Sequence, residues 1–326
     1  MKVLVTGATG FIGSHLVEAL VQRGAQVRCL VRNISHLGWV KNCPVEFTVG
    51  DCQEMESLHQ AVQDVDQVFH LAGATMAVKE QTFFEVNGRG TENLVKACIE
   101  NNTRLKKFIY LSSQAAAGPC LSDGKKKESD PCEPVSPYGK SKLLGEELAL
   151  SHAHELPLLI LRPCAVYGPR DKSFFTLFKC LSKNFKPCLA DHDQYISMCY
   201  VEDLVQAMLL AAETQTESGE IFFLSDGHDY RMEEIGDIFA QALEVHALKL
   251  RLPPQLLFGV GFIAECFARV TGKPSIMSRG KVKEMRCTNW LCDIDKAKTI
   301  LGFEPLIALA RGAALTAAWY RNENWL

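Results

Sequence analysis

An α/β fold, built on a doubly wound parallel sheet with a smaller and mostly helical lobe, is what this sequence predicts. Three observations carry that expectation. Through the first half, short β-branched or apolar runs alternate with longer helical patterns, the rhythm that strand–helix–strand crossovers produce. The strands read as near-continuous apolar runs, as strands covered by helices on both faces do. A glycine-rich stretch, TGATGFIG at 6–13, stands between the first strand and the first helix.

In chain order, KVLVT opens the sheet and FIGSHLVEALVQRG forms its first crossover helix; QVRCLVR and VEFTVG follow as strands, SLHQAVQ as a helix and QVFHLAG as a strand. FFEVNGRGTENLVKACIENN is helical, KKFIYLSS extended, YGKSKLLGEELALSHAHE helical behind Pro137, and LPLLILRP extended. After Pro163 the rhythm breaks. A mixed segment runs to about Met198, CYVEDLVQAMLLAA and IFFLSD return to the earlier pattern, and the remainder is largely helical. Residues 1–163, rejoined by 199–226, are therefore read as the sheet domain. Residues 164–198 and 227–326 are read as a lobe over the carboxyl ends of the strands, where ligands of such sheets bind.

A chain of 326 residues, 47% hydrophobic and 22% charged, buries a sizeable core and is not a disordered protein. Its net charge of -3 supplies no basic field for a nucleic acid. Thirteen cysteines without a CxxC pair read as free thiols in a reducing compartment, with no metal site. The N-terminus runs directly into a strand, so a cytoplasmic protein without a signal peptide is expected. QLLFGVGFIAECFARV at 255–270 is too short to span a bilayer and carries Glu265 and Arg269. A core or lid helix is expected there, with contact at a membrane surface as the alternative.

The glycine loop has physical work to do. Gly7 allows the tight turn, Gly10 lets backbone amides approach a pyrophosphate, and Gly13 permits close packing of a helix whose N-terminus faces the anion. Residues 1–163 are thus a dinucleotide-binding domain. An NAD site usually presents an acid about 20 residues beyond the loop to take the ribose hydroxyls. Here that place reads LVRN, and no acid occurs between Glu18 and Glu46. Arg32 stands there instead, and a guanidinium pairs with a 2′-phosphate. NADP(H) is the preferred cofactor and NAD(H) the alternative; a plain solvated charge is the competing reading of Arg32. Asp51, at the end of the third strand, is read as an acceptor for the adenine amino group or as a helix N-cap.

Taken together, TGATGFIGSH, HLAG at 70–73, VNGRGTENL at 86–94, YLSS at 110–113, YGKSK at 138–142, LRPCAVYGP at 161–169 and KAKTILGFEP at 296–305 resemble the extended short-chain dehydrogenase/reductase family, which has a Rossmann fold. The resemblance covers most of the chain. It implies a catalytic set of Ser113, Tyr138 and Lys142, assisted by Asn87, with Ser113 preferred to Ser112 on its spacing to Gly118. It also implies cofactor contacts from Thr9, Phe11, Ile12, Cys52, Leu71, Ala72, Gly73 and Pro163, and a reach of Lys142 to the nicotinamide ribose, beside Tyr138. Family members often dimerise, and the helices at 83–101 and 138–152 are candidates for that face, unless the monomer covers them.

Tyr138 and Lys142, at i and i+4, share a helix face. An ammonium there is expected to lower the phenol from its usual value of about 10, so that Tyr138 exchanges a proton with a substrate oxygen. Ser113 holds that oxygen while a hydride moves at the nicotinamide. Nucleotide-sugar epimerases of the family resemble LRxxNVYGP, where this chain has Ala165. They also tend to carry an arginine where it has Ile196 and Ser197. Both changes remove partners of a buried diphosphate. The pattern looks more like the 3β-hydroxysteroid dehydrogenase and dihydroflavonol reductase branches. An oxidoreductase interconverting a secondary alcohol and a ketone on a mainly apolar small molecule is expected. The alternatives are a nucleotide-sugar epimerase or dehydratase with recycled cofactor, and a non-enzymatic NADP sensor.

Overall fold

A computed structural model describes residues 1–120, 124–189, 193–275 and 278–326. Its strands, in chain order, are β1 (Lys2–Thr6), β2 (Gln26–Val31), β3 (Glu46–Val49), β4 (Gln67–His70), β5 (Lys107–Leu111), β6 (Leu158–Pro163), β7 (Ala165–Tyr167), β8 (Phe185–Leu189), β9 (Tyr195–Tyr200), β10 (Glu220–Leu224), β11 (Asp229–Arg231), β12 (Leu248–Leu252) and β13 (Asn289–Trp290). Seven of them form one sheet in the order β10, β6, β5, β4, β1, β2, β3, and every pair in it is parallel. The order reverses between β1 and β4, which opens a crevice at their carboxyl ends.

The apolar strand runs explain this sheet. β4 and β5 are buried along their whole length, and alternate residues feed two cores. Val3, Val5, Phe69 and Ile109 face one, with the helices Phe11–Gln22 and Val201–Glu213; Leu4, Val68, Phe108 and Tyr110 face the other, with Gly90–Asn101. The closing motif KAKTILGFEP packs Ala297, Leu301 and Phe303 into the first core. Asp203 fixes that segment by accepting from the amides of Leu306 and Ile307, each at 3.0 Å.

The lobe holds its own core, in which Phe178 stacks on Phe239 with ring centroids 4.4 Å apart and Tyr167, Tyr200 and Tyr320 are buried. The apolar run FFTLFKCL at 174–181 belongs to the lobe core through Phe178 and Leu181. The lobe is less purely helical than expected. β9 gathers β7, β11 and β13 around it, and β8 pairs with β12. These strands are short, and β12 is mostly exposed, so their apolar signal is weak. The stretch 255–270 departs further from a core reading. It lies in the helix Pro254–Thr271, whose Ile263, Phe267 and Val270 face solvent.

Candidate active site

The crevice has two ends, each built by short-range chemistry. At one end the loop after β1 turns through Gly7 at φ 72°. A Cβ there would sit 2.6 Å from the Ala72 amide nitrogen, and one at Gly13 would sit 2.2 Å from the Gly7 carbonyl oxygen. Only glycine fits either place. The helix Phe11–Gln22 has no side-chain cap and no acid in its first turn. Its first amides and its dipole are thus directed at the crevice, which suits the phosphates of a dinucleotide. The residues present fit the expected cofactor. Thr9 and Gly10 are exposed, and Phe11 and Ile12 are half-buried behind them.

Farther along this end, Arg32 follows β2, is exposed, and makes no ion pair or hydrogen bond among the described residues. Asp51 and Cys52 follow β3. Burial pushes the Cys52 thiol up to about 12, with the Asp51 charge adding to that and the Arg32 charge opposing it, so the three groups share one neighbourhood. Asp51 does not cap a helix. The helix begins at Met55 behind Glu54, and the Asp51 carboxylate accepts from the Gln53 amide at 2.9 Å.

Between the two ends, the run Leu71–Ala72–Gly73 leaves β4. The Ala72 amide donates to Thr6 Oγ1 at 3.2 Å. Buried His70 bridges Thr6 and Thr91 at 2.7 and 2.9 Å. Thr91 already donates to the Asn87 carbonyl at 2.7 Å, so its oxygen must accept from His70 Nε2–H, and Nδ1 must accept from Thr6. The ring is neutral, because burial holds it down at about 3, assisted by the Lys142 charge.

Asn87 occupies the π-helical turn Phe84–Arg89 and is fully buried. Its Oδ1 accepts from the Ala74 amide at 2.7 Å, and its Nδ2 donates to the Ala74 carbonyl at 3.0 Å and to Ser141 Oγ at 2.9 Å. With its amide thus engaged, Asn87 clamps the loop after β4 to the catalytic helix.

At the other end, Ser113 follows β5 and caps the short helix Gln114–Ala117 by accepting from the Ala115 amide at 3.1 Å. Ser136 caps the helix Pro137–Leu150, with Pro137 at its first position. That helix brings Tyr138 beside Ser113 and edge-on to Phe83 at 6.2 Å. One turn on, buried Lys142 donates to the Leu111 carbonyl at 2.7 Å and lies 4.3 Å above the centre of the Tyr110 ring. A Cβ on Gly73 would be 3.9 Å from Lys142 Nζ, so the loop after β4 approaches the helix Pro137–Leu150. The same helix is held to β6 by the buried pair of Glu146 with Arg162, at 3.0 and 2.5 Å. Pro163 ends β6, buried, beside Leu224.

The electrostatics correct the expected effect of Lys142 on Tyr138. Burial pushes the Tyr138 phenol up to about 12; the Ser113 hydrogen bond opposes this, and the Glu284 charge adds to it. Burial brings the Lys142 ammonium down to about 7, opposed by Glu146. Burial is the largest cause for both groups, and the phenol lies above its usual value, not below it. Two neighbours of Ser113 stand out: Ser112, passed over in the sequence in favour of Ser113, and Gln114, which sequence reasoning did not single out. Ser112 Oγ and Gln114 Nε2 are buried without a hydrogen-bond partner. Unpartnered buried donors are rare, but no sequence pattern marks them.

Residues 3–224 match the family model described as NAD dependent epimerase/dehydratase family. A ceramide reductase of Caulobacter vibrioides is 30% identical over 326 residues, covering 99% of this chain and 96% of the relative. A UDP-glucose 4-epimerase of Vibrio cholerae is 28% identical, with 99% and 96% covered. The UDP-glucuronic acid 4-epimerase of Bacillus cereus, solved with UDP-glucuronic acid and NAD, superposes with a TM-score of 0.80 at 26% identity, covering 99% of this chain and all of that one.

Proposed function

Because the chain belongs to the NAD-dependent epimerase/dehydratase family, whose members here include reductases and epimerases of the extended short-chain type, we propose that it is an NADP(H)-dependent reductase acting on a ketone of a mainly apolar molecule. The observation that carries this reading is the convergence of Ser113, at the end of β5, with Tyr138 and Lys142 of the helix Pro137–Leu150, which Lys142 ties to β5 through the Leu111 carbonyl. The bound cofactor supplies a hydride to the carbonyl carbon. Ser113 donates a hydrogen bond to the carbonyl oxygen, and Tyr138 gives that oxygen its proton. The phenolate so formed is favoured by the positive charge of Lys142 on the same helix face. Lys142 and Gly73 would hold the nicotinamide end, and Gly7, Gly10 and Gly13 the phosphates. Arg32, without a partner of its own among the described residues, would take the 2′-phosphate.

The apolar substrate class rests on what the lobe offers. Ile196 packs in the lobe core, and Ser197 Oγ accepts from the Cys292 amide at 3.2 Å. Ile196 has no side-chain donor, and Ser197 is fully buried, so neither replaces an arginine at a diphosphate. Lys186 is paired with Asp237, and Arg231 with Asp193 and Glu233. The names of the epimerase relatives favour a second reading, in which a nucleotide sugar is epimerised and the cofactor recycled. Consumption of NADPH decides between the two. Net oxidation with apolar ketones, and none with UDP, dTDP or GDP sugars, is expected. Conversion of a nucleotide sugar without net change in NADPH would overturn the proposal.

A further inference from the structure

The helix Pro254–Thr271 turns an apolar stripe to water. Leu256 is 53% exposed, Ile263 66%, Phe267 68% and Val270 87%, and Phe262 flanks them at 54%. Spacings of three, four and seven residues put such side chains on one helix face. The opposite side is satisfied. Gly261 and Ala268 are buried, and Gly261 lies against Ser278, Arg279 and Val282. Monomeric proteins seldom expose so continuous a patch without a use for it.

The surrounding charge says what covers it. Residues 249–286 carry eight lysines or arginines against two acids, a balance of +6 in a chain whose net charge is -3. Both acids are already engaged, Glu265 with Arg279 at 2.7 Å and Glu284 with Lys281 at 3.1 Å. Arg269, Lys273 and Lys283 have no ion pair among the described residues. The guanidinium of Arg279 lies 5.8 Å from the Phe262 ring and that of Arg286 lies 5.5 Å from Phe258, so cations border the apolar stripe. A second copy of this face would meet it with like charge. No described helix is long and apolar enough to cross a membrane. An exposed apolar stripe edged by cations is complementary to the acyl boundary and headgroups of an anionic bilayer.

We propose that the helix Pro254–Thr271 docks the protein on the surface of an anionic phospholipid bilayer. The docking helix rests on Arg279–Met285, which touches the start of the catalytic helix. Ser136 Oγ donates to Glu284, and Gly280 lies against Pro137, the residue before Tyr138. On the reductase reading, docking would bring the Tyr138 end of the helix Pro137–Leu150 toward the lipid. Only that consequence, and not the docking, rests on the reductase reading.

Sedimentation of the full chain with vesicles tests the docking without cofactor or substrate, so its failure leaves the reductase reading intact. Binding is expected to vesicles of equal parts phosphatidylcholine and phosphatidylglycerol. It should weaken as salt shortens the Debye length, and be slight on phosphatidylcholine alone. The double variant Ile263→Glu/Phe267→Glu should lose binding about tenfold or more. Arg269→Glu/Lys273→Glu should weaken binding to the anionic vesicles by about tenfold or more. All four side chains are exposed, so an unchanged unfolding midpoint will show that the fold is intact. Wild-type protein that stays in the supernatant with both vesicles overturns the proposal, as does binding indifferent to Ile263→Glu/Phe267→Glu. A dimer in light scattering that the same substitutions split, without vesicle binding, would assign the face to a second copy instead.

Discussion

Lys142 gives its ammonium to the carbonyl of Leu111, 2.7 Å away at the end of β5. The helix that carries Tyr138 is thereby tied to the strand that precedes Ser113. The bond also explains how a lysine only 4% exposed is tolerated, and burial still brings its pKa down to about 7.

That value sets a pH dependence. Between the folded value and an unfolded value of about 10.4, the unfolded chain binds more protons, so stability rises with pH. Buried thiols such as Cys29 and Cys52, raised to about 12, act the other way as pH nears their unfolded value of about 8.5. From about pH 7 to about pH 8 the urea midpoint should therefore change less favourably in Lys142→Met than in the parent protein. Lys107, also lowered by burial, keeps part of the rise. His70, at about 3, and Asp171, raised by burial to about 6, titrate below this window. A slope unchanged in Lys142→Met would show that the amine titrates elsewhere.

Asn87 is predicted to matter for stability before chemistry. Asn87→Ala leaves the amide and carbonyl of Ala74 without their partner, a loss of about 2–4 kcal/mol for buried groups. Urea unfolding measures it, and weaker NADPH binding should accompany it because Gly73 adjoins the clamp. A loss below about 1 kcal/mol would mean that water replaces the side chain.

Arg32 is predicted to read the 2′-phosphate. A lost charge-assisted hydrogen bond of about 1.5–3 kcal/mol corresponds to roughly ten- to a hundredfold in affinity. Arg32→Glu should weaken NADPH by that factor and leave NADH within a small factor, as titrations of the two nucleotides will show. Equal weakening of both would remove Arg32 from the site.

The glycine loop and the strand–helix rhythm were legible because each rests on local chemistry: a turn that excludes a Cβ at Gly7, and apolar runs long enough to be covered twice. The shared face of Tyr138 and Lys142 was legible for the same reason, since helix spacing is fixed. What Lys142 does on that face was not. Its bond to Leu111 and the balance of burial against charge depend on how closely a helix approaches a strand 31 residues away in sequence. The clamp by Asn87 was hidden because a π-helical turn shifts side chains off the ordinary helix faces. The stretch 255–270 showed its amphipathic pattern openly. Which face would be covered depended on Gly261 and Ala268, small residues that carry little signal of their own.

Turnover of Tyr138→Phe with NADPH and the best apolar ketone decides whether the Ser113–Tyr138 pair is the acid of this site. Removing a general acid costs about a hundred- to ten-thousandfold in kcat. The account predicts a fall in that range with NADPH affinity unchanged. Full turnover by Tyr138→Phe would contradict it, and the proton would then have to come from another group.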